Sequence, residues 1–202
     1  YFLFVLWYNT DLWIKTFKGN KMSFKIISSN QNKINEYKRF GLSNLEILTG
    51  KDIREVAGTS EEVIIYKSLE AGEDIIVEDA ILIIDCVEIV DIKYQLQNLD
   101  NFIGKHAVFK VTLGLQSNGF IKTFTSELHG NIQNIKKPED NFGFDYCFIP
   151  KNKTKSLYEL DKLGLKDFYS PRKKAIVKLI LDKFDNEYIV NDIKPWTGNY
   201  QI

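Results

Sequence analysis

Glu55, Lys67, Glu78 and Asp79 are the residues of this chain whose types and spacing most directly suggest chemistry. Carboxylate oxygens bind a hard divalent cation such as Mg2+, and an ammonium neutralises phosphate charge. Acids at both ends of a 55–79 stretch with a lysine between them therefore supply the parts of a magnesium–triphosphate site. The competing reading is a surface helix between two strands whose charges are simply solvated. A second candidate is the polar turn Ser28-Ser29-Asn30-Gln31-Asn32-Lys33, where Ser28, Asn30 and Lys33 offer donors to an anion, or where Asn30 is an ordinary helix cap. A third is Phe142-Gly143-Phe144-Asp145, whose rings could sandwich a flat base or just as well fill a core. Lys166 and Arg172 flank Ser170-Pro171, a helix start toward which their donors could converge.

These residues need elements to hold them. Phe24–Ile27 is an apolar strand leading into the polar turn, after which Ile34, Tyr37 and Phe40 recur at helical spacing. Leu45–Leu48 reads as a second strand. Thr59 and Glu62 form a capping-box pattern, so a helix is expected from Ser60 to Ala71, stopping at Gly72 and carrying Lys67. Ile75–Val77 is then a strand ending in Glu78-Asp79, and ligands of open α/β sheets gather near such ends. Ile81–Val90 is strongly β-branched, while Asp91–Asn101 carries little pattern. Ala107–Leu115 and Phe120–Thr125 make a hairpin closed by Asn118-Gly119, continued by Glu127–Ile132. Ser156–Leu163 is a short helix, and Arg172–Phe184 a longer one with Ala175, Ile176, Leu179 and Ile180 inward.

The 202 residues suffice for one domain with a sizeable core. The 27 basic and 27 acidic residues cancel, which argues against a nucleic-acid partner but allows a small anion in a local pocket. Cys86 and Cys147 each lie in an apolar run and read as buried free thiols, giving a reducing, cytoplasmic setting as the default. His106 and His129 lack metal-ligand spacing and read as structural or exposed. The apolar run Tyr1–Tyr8 is too short to span a bilayer and has no basic leader, so no membrane role is expected. Residues 1–21 are set apart as an extension, with Met22 as the expected start of a single domain over 22–202.

Taken in order, these pieces resemble the inosine triphosphate pyrophosphatase family over Phe24 to about Phe184. Ser28 to Lys33 with Glu36 resembles the family's (Thr/Ser)-x-Asn-x-x-Lys phosphate turn. Asp52–Gly58 and the Lys67 helix follow, then Val77-Glu78-Asp79, then Phe142–Asp145 like Phe-Gly-(Tyr/Trp)-Asp, then Ser170-Pro171-Arg172 where Ser-His-Arg is usual. The resemblance implies an elongated, two-lobed α/β fold with a central twisted mixed sheet flanked by helices, a nucleotide cleft between the lobes, and a homodimer. It implies Mg2+-dependent hydrolysis of ITP, dITP or XTP to the monophosphate and pyrophosphate. Glu55 and Asp79 would hold the metal, and Asp79 and Lys67 would be catalytic. Ser28, Asn30 and Lys33 would bind phosphates, Phe144 would stack on the base, and Asp145, Lys166 and Arg172 would read its edge.

The sequence also departs from that pattern. Asp79 precedes Ala80-Ile81-Leu82 instead of (Ser/Thr)-Gly-Leu, no Gly-Gly-x-Pro-Gly loop lies between Ile83 and Gly104, and Pro171 and Tyr146 replace the usual His and Pro. Relaxed base selectivity is one expectation. A relative that binds nucleotide without efficient turnover, or acts as an interaction scaffold, is the alternative. A pyrimidine-directed group of similar fold ranks lower, because its Ser-x-x-Arg after the first strand is missing.

Overall fold

A computed structural model of the chain describes residues 24–48, 53–90, 96–133, 136–140 and 143–201. The expectations placed on residues 1–21, Met22, Asp52 and Phe142 lie outside them. The fold is α/β: an open, mixed eight-stranded sheet with helices on both faces.

The chain enters through β1 (Lys25–Ile27), turns, and forms α1 (Gln31–Arg39), with Asn30 capping through its side chain on the Lys33 amide. β2 (Glu46–Leu48) returns parallel to β1. Helix α2 spans Ser60–Ala71, where the capping box predicts it, with Thr59 and Glu62 each satisfying the other's backbone. It delivers the chain to β3 (Ile75–Ile84), which joins β1 in parallel and continues as a hairpin into β4 (Val87–Ile89). A 3-10 turn at Leu96–Phe102 precedes β5 (His106–Ser117) and β6 (Phe120–Ile132), the long hairpin closed by Asn118 and Gly119 at positive φ. β7 (Phe148–Pro150), α3 (Leu157–Lys162), a 3-10 turn at Lys166–Phe168, α4 (Pro171–Ile180) and β8 (Asn186–Ile189) complete the order. The sheet reads β2-β1-β3-β5-β6-β7, with β4 on β3 and β8 on β6.

Strand alternation divides the core in two. On one face Ile76, Leu82, Val111, Leu113 and Phe124 pack against Tyr37 of α1, Leu157 of α3, and Ala175 and Ile176 of α4. On the other, Val77 and Ile121 pack against Ile64 and Ile65 of α2. Helix α2 sits so close that a Cβ on Gly114 of β5 would lie 2.3 Å from Ser68 Oγ. Glycine there sets the depth from which Lys67 reaches into the site.

Three expectations need correction, and one strand is unannounced by the sequence. Glu78-Asp79 is not a strand end: β3 runs to Ile84 because β5 pairs with it from Ile76 to Ile84. Helix α4 stops at Ile180, with Leu181 as its cap and Asp182 at positive φ, short of Phe184. Cys86 is exposed in the β3–β4 turn, where it and Asp85 both take positive φ; only Cys147 is buried. β8 escaped the sequence reading because Asn186–Ile189 is mostly exposed and carries no core-facing alternation.

Candidate active site

The site forms where the edge of β3 opens. On the edge facing β1, β3 pairs with β1 at Ile75 and Ile76 and with β4 from Leu82 to Ile84. Among the described residues, no strand pairs with that edge at 77–81, and Glu78 and Asp79 lie inside the gap. β1 ends at Ile27, so the turn carrying Ser28, Asn30 and Lys33 stands at the mouth of the same gap.

On the α2 face, Lys67 Nζ lies 3.2 Å from Glu55 Oε1, 3.7 Å from Asp79 Oδ1, and donates to the Glu78 carbonyl at 2.9 Å. Two acids far apart in sequence thus meet at one ammonium. Asp79 is buried, and among the described residues its Oδ2 accepts no hydrogen bond. Burial raises its pKa; Lys67 opposes this and the neighbouring Glu55 charge adds to it, so the carboxyl stays above the usual range.

On the opposite face the charges interlock. Arg172 grips Glu78 through Nε at 2.7 Å and Nη2 at 2.9 Å, and its Nη1 bonds Glu36. Tyr37 donates to Glu78 at 2.8 Å, and Lys33 Nζ lies 3.0 Å from it. Lys166 joins Glu36 at 3.0 Å and Asp145 at 2.6 Å. Burial works against the charge of Glu78, yet Arg172 and Lys33 outweigh it and hold the carboxyl far below its ordinary value. Asp145 ends the other way, because burial outweighs Lys166 and pushes its pKa up.

The expected residues therefore separate by access. Ser28, Asn30 and Lys33 line the open turn, with the Lys33 side chain 26% exposed. Glu55 and Lys67 are half-buried at the gap. Arg172, expected at a base edge, is instead only 4% exposed and committed to Glu36 and Glu78. Phe144, expected to stack on a base, packs edge-on against Phe109 at 4.8 Å and is buried in the larger core. A stacked base needs an open ring face, so packing is the role this position gives it. Glu36, Tyr37 and Glu78 are the organising residues that sequence reasoning undervalued. Their signal was an acid on the buried side of α1 beside Ile34 and Tyr37, and an acid inside an apolar strand.

A hard cation suits the α2 face. Glu55 and Asp79 supply two carboxylates, and Asp79 Oδ2 is an oxygen without a donor among the described residues. Among the described residues no group of three or more His, Cys, Asp or Glu is placed to hold a metal. Mg2+ nonetheless takes only one or two carboxylates from a protein, with water and substrate phosphates completing the shell, and Glu55 and Asp79 could supply those two.

The Ham1 family model matches residues 24–181, which include every residue of this constellation. The chain belongs to the Ham1 family. Among curated relatives, a dITP/XTP pyrophosphatase of Hyperthermus butylicus is 25% identical over 173 residues, covering 76% of this chain and 90% of that protein. A dITP/XTP pyrophosphatase of Flavobacterium johnsoniae is 28% identical over 186 residues, covering 79% and 96%. The Staphylococcus aureus Ham1 protein shares the fold with a TM-score of 0.59 at 24% identity, covering 78% of this chain and 98% of its own. A HAM1 protein from Coxiella burnetii does so at 0.60 and 21%, covering 79% and 99%. The resemblance that the short motifs carry is thus shown at the level of family and fold. Among the described residues no helix is long and apolar enough to cross a membrane.

Proposed function

We propose that this protein hydrolyses nucleoside triphosphates at the α-phosphate, acting on deaminated purine nucleotides such as ITP, dITP and XTP to release the monophosphate and pyrophosphate. One observation carries the reading: Glu55 and Asp79 converge on Lys67 at a gap in the sheet, and Asp79 Oδ2 has no hydrogen-bond partner among the described residues. The names of the two curated relatives support the substrate class.

Ser28, Asn30 and Lys33 would hold the triphosphate at the mouth of the gap, with Lys67 neutralising charge from the α2 side. Asp79 Oδ2 would orient a water toward the α-phosphorus and accept its proton. The new P–O bond forms as the bond from the α-phosphorus to the bridging oxygen breaks, and pyrophosphate leaves with that oxygen. Glu55 and Asp79 would bind Mg2+, which when bound supplies Lewis acidity and neutralises phosphate charge. Lys166 and Asp145 would face the base edge, and Arg172 would set their positions through Glu36 and Glu78. A cytoplasmic homodimer is part of the same reading, and sedimentation tests the assembly.

The decisive measurement is pyrophosphate release from ITP, XTP, GTP and ATP, with and without Mg2+. Faster release from ITP and XTP, dependent on the metal, is expected. Equal and negligible rates on all four would overturn the proposal. The absence of a Gly-Gly-x-Pro-Gly loop between Ile83 and Gly104 favours a second reading, nucleotide binding with weak turnover, because a wall of the cleft is then missing. Calorimetry that finds ITP binding without turnover would select it.

A further inference from the structure

The carboxylate of Glu55 sits on residues 53–59, which form no helix or named strand before α2. Its backbone is held instead by residues after β8, beyond the 24–181 stretch that matches the family. The Gln201 amide donates to the Glu55 carbonyl at 2.8 Å, and the Ala57 amide donates to the Asn199 carbonyl at 2.9 Å. Between them Val56 and Tyr200 form an antiparallel bridge, and Gln201 Nε2 adds a bond to the Val56 carbonyl at 3.2 Å. Arg54 lies over the Tyr200 ring, 4.5 Å from its centre. Successive side chains of extended backbone point to opposite sides, so burying Val56 fixes the side to which Glu55 projects. A slip of one residue would turn the carboxylate away from Lys67 and Asp79.

The clamping segment is itself anchored on α2. Trp196 meets Tyr66 edge-on at 5.1 Å, and Tyr66 donates to the Lys194 carbonyl at 2.7 Å. The indole Nε1 donates to the Asn199 carbonyl at 2.9 Å, curling the segment back on itself. Space for the ring depends on two glycines: a Cβ on Gly58 would lie 3.1 Å from the indole, and one on Gly198 2.6 Å from it. Trp196 thus ties the tail to the helix that carries Lys67, while residues 199–201 tie it to the strand-like run that carries Glu55.

We propose that segment 194–201, anchored by Trp196, is a positioning element for Glu55, holding its carboxylate in register with Asp79 for a divalent cation. This rests on the reading of Glu55 and Asp79 as the metal-binding pair. Trp196 touches neither metal nor nucleotide and acts through the backbone of residues 55–57.

The test compares the full chain with Trp196→Ala, Trp196→Phe and Gly198→Val, the last displacing the indole without removing it. Mn2+ binding is followed by electron paramagnetic resonance, nucleotide KM at saturating metal by turnover, and the Ala57 and Gln201 amides by hydrogen exchange. Trp196→Ala and Gly198→Val should speed exchange at those amides and weaken Mn2+ binding about tenfold, the scale on which groups supporting a metal ligand act. KM at saturating metal should stay within about twofold, and Trp196→Phe should recover most of the affinity, since an aromatic edge still meets Tyr66. Unchanged Mn2+ affinity in both disruptive variants would overturn the proposal even if exchange speeds up. A wild-type chain that binds no Mn2+ would instead overturn the metal-site reading, and this inference with it.

Discussion

Glu78 and Asp79 are consecutive in the chain yet serve opposite faces of the sheet: Glu78 is gripped by Arg172 and Tyr37, while Asp79 faces Lys67 and Glu55. Strand alternation makes this unavoidable. The consequence is a division of labour within one dipeptide. One acid is paired with a buried guanidinium and locks the helices, and the other keeps, among the described residues, an unshared oxygen at the gap.

Asp79→Asn should therefore cut turnover steeply without unfolding the protein. Removing a general base typically costs 10²–10⁴-fold, and a loss of that order is expected in pyrophosphate release. Burial disfavours the Asp79 charge, so replacing it with a neutral amide should leave the urea midpoint unchanged or higher.

Arg172→Met should do the opposite. It leaves Glu36 and Glu78 buried without their main partner, and breaking such a pair costs about 3–5 kcal/mol. Denaturant unfolding should show that loss. Arg172→Lys should recover only part of it, because an ammonium cannot grip Glu78 through two nitrogens.

Glu78 also sets a pH dependence. Its folded pKa is far below the ordinary value of 4.5, since Arg172 and Lys33 outweigh burial. A depressed carboxyl contributes stability that is full above about pH 4.5 and is lost as the pH falls toward the folded value. Asp79 and Asp145 are shifted upward and contribute with the opposite sign. Glu78→Gln should flatten the acid loss seen in urea midpoints measured between pH 3 and pH 6, ~ limits set by the ordinary carboxyl range.

Lys33→Ala should raise the nucleotide KM about tenfold and make it less sensitive to salt. Lys33 is the most exposed of the lysines at the gap and meets solvent where phosphate would enter. Initial-rate kinetics at two ionic strengths read both effects.

The two thiols should differ sharply in a native-state titration with a disulfide reagent. Cys86, exposed in its turn, should react at once. Cys147 is buried, and burial pushes its pKa up to about 11, so it should react only on unfolding.

The sequence by itself determined the local elements and the family. Thr59 with Glu62, Asn118-Gly119 and Ser170-Pro171 specify a helix start, a hairpin turn and a second helix start through contacts within a few residues, and the structure has all three. Phe24–Ile27 and the helix after it were legible for the same reason, and the ordered motifs were enough to indicate the family. Only the tertiary structure decided what the charged residues do. That Arg172 is spent on Glu36 and Glu78, that Phe144 is core, that β3 passes through the acids without ending at them, and that residues 199–201 hold Glu55 all depend on contacts between residues far apart in the chain. Local spacing carries no record of such partners. Whether a charge is solvated or buried against its opposite is settled when the chain closes on itself.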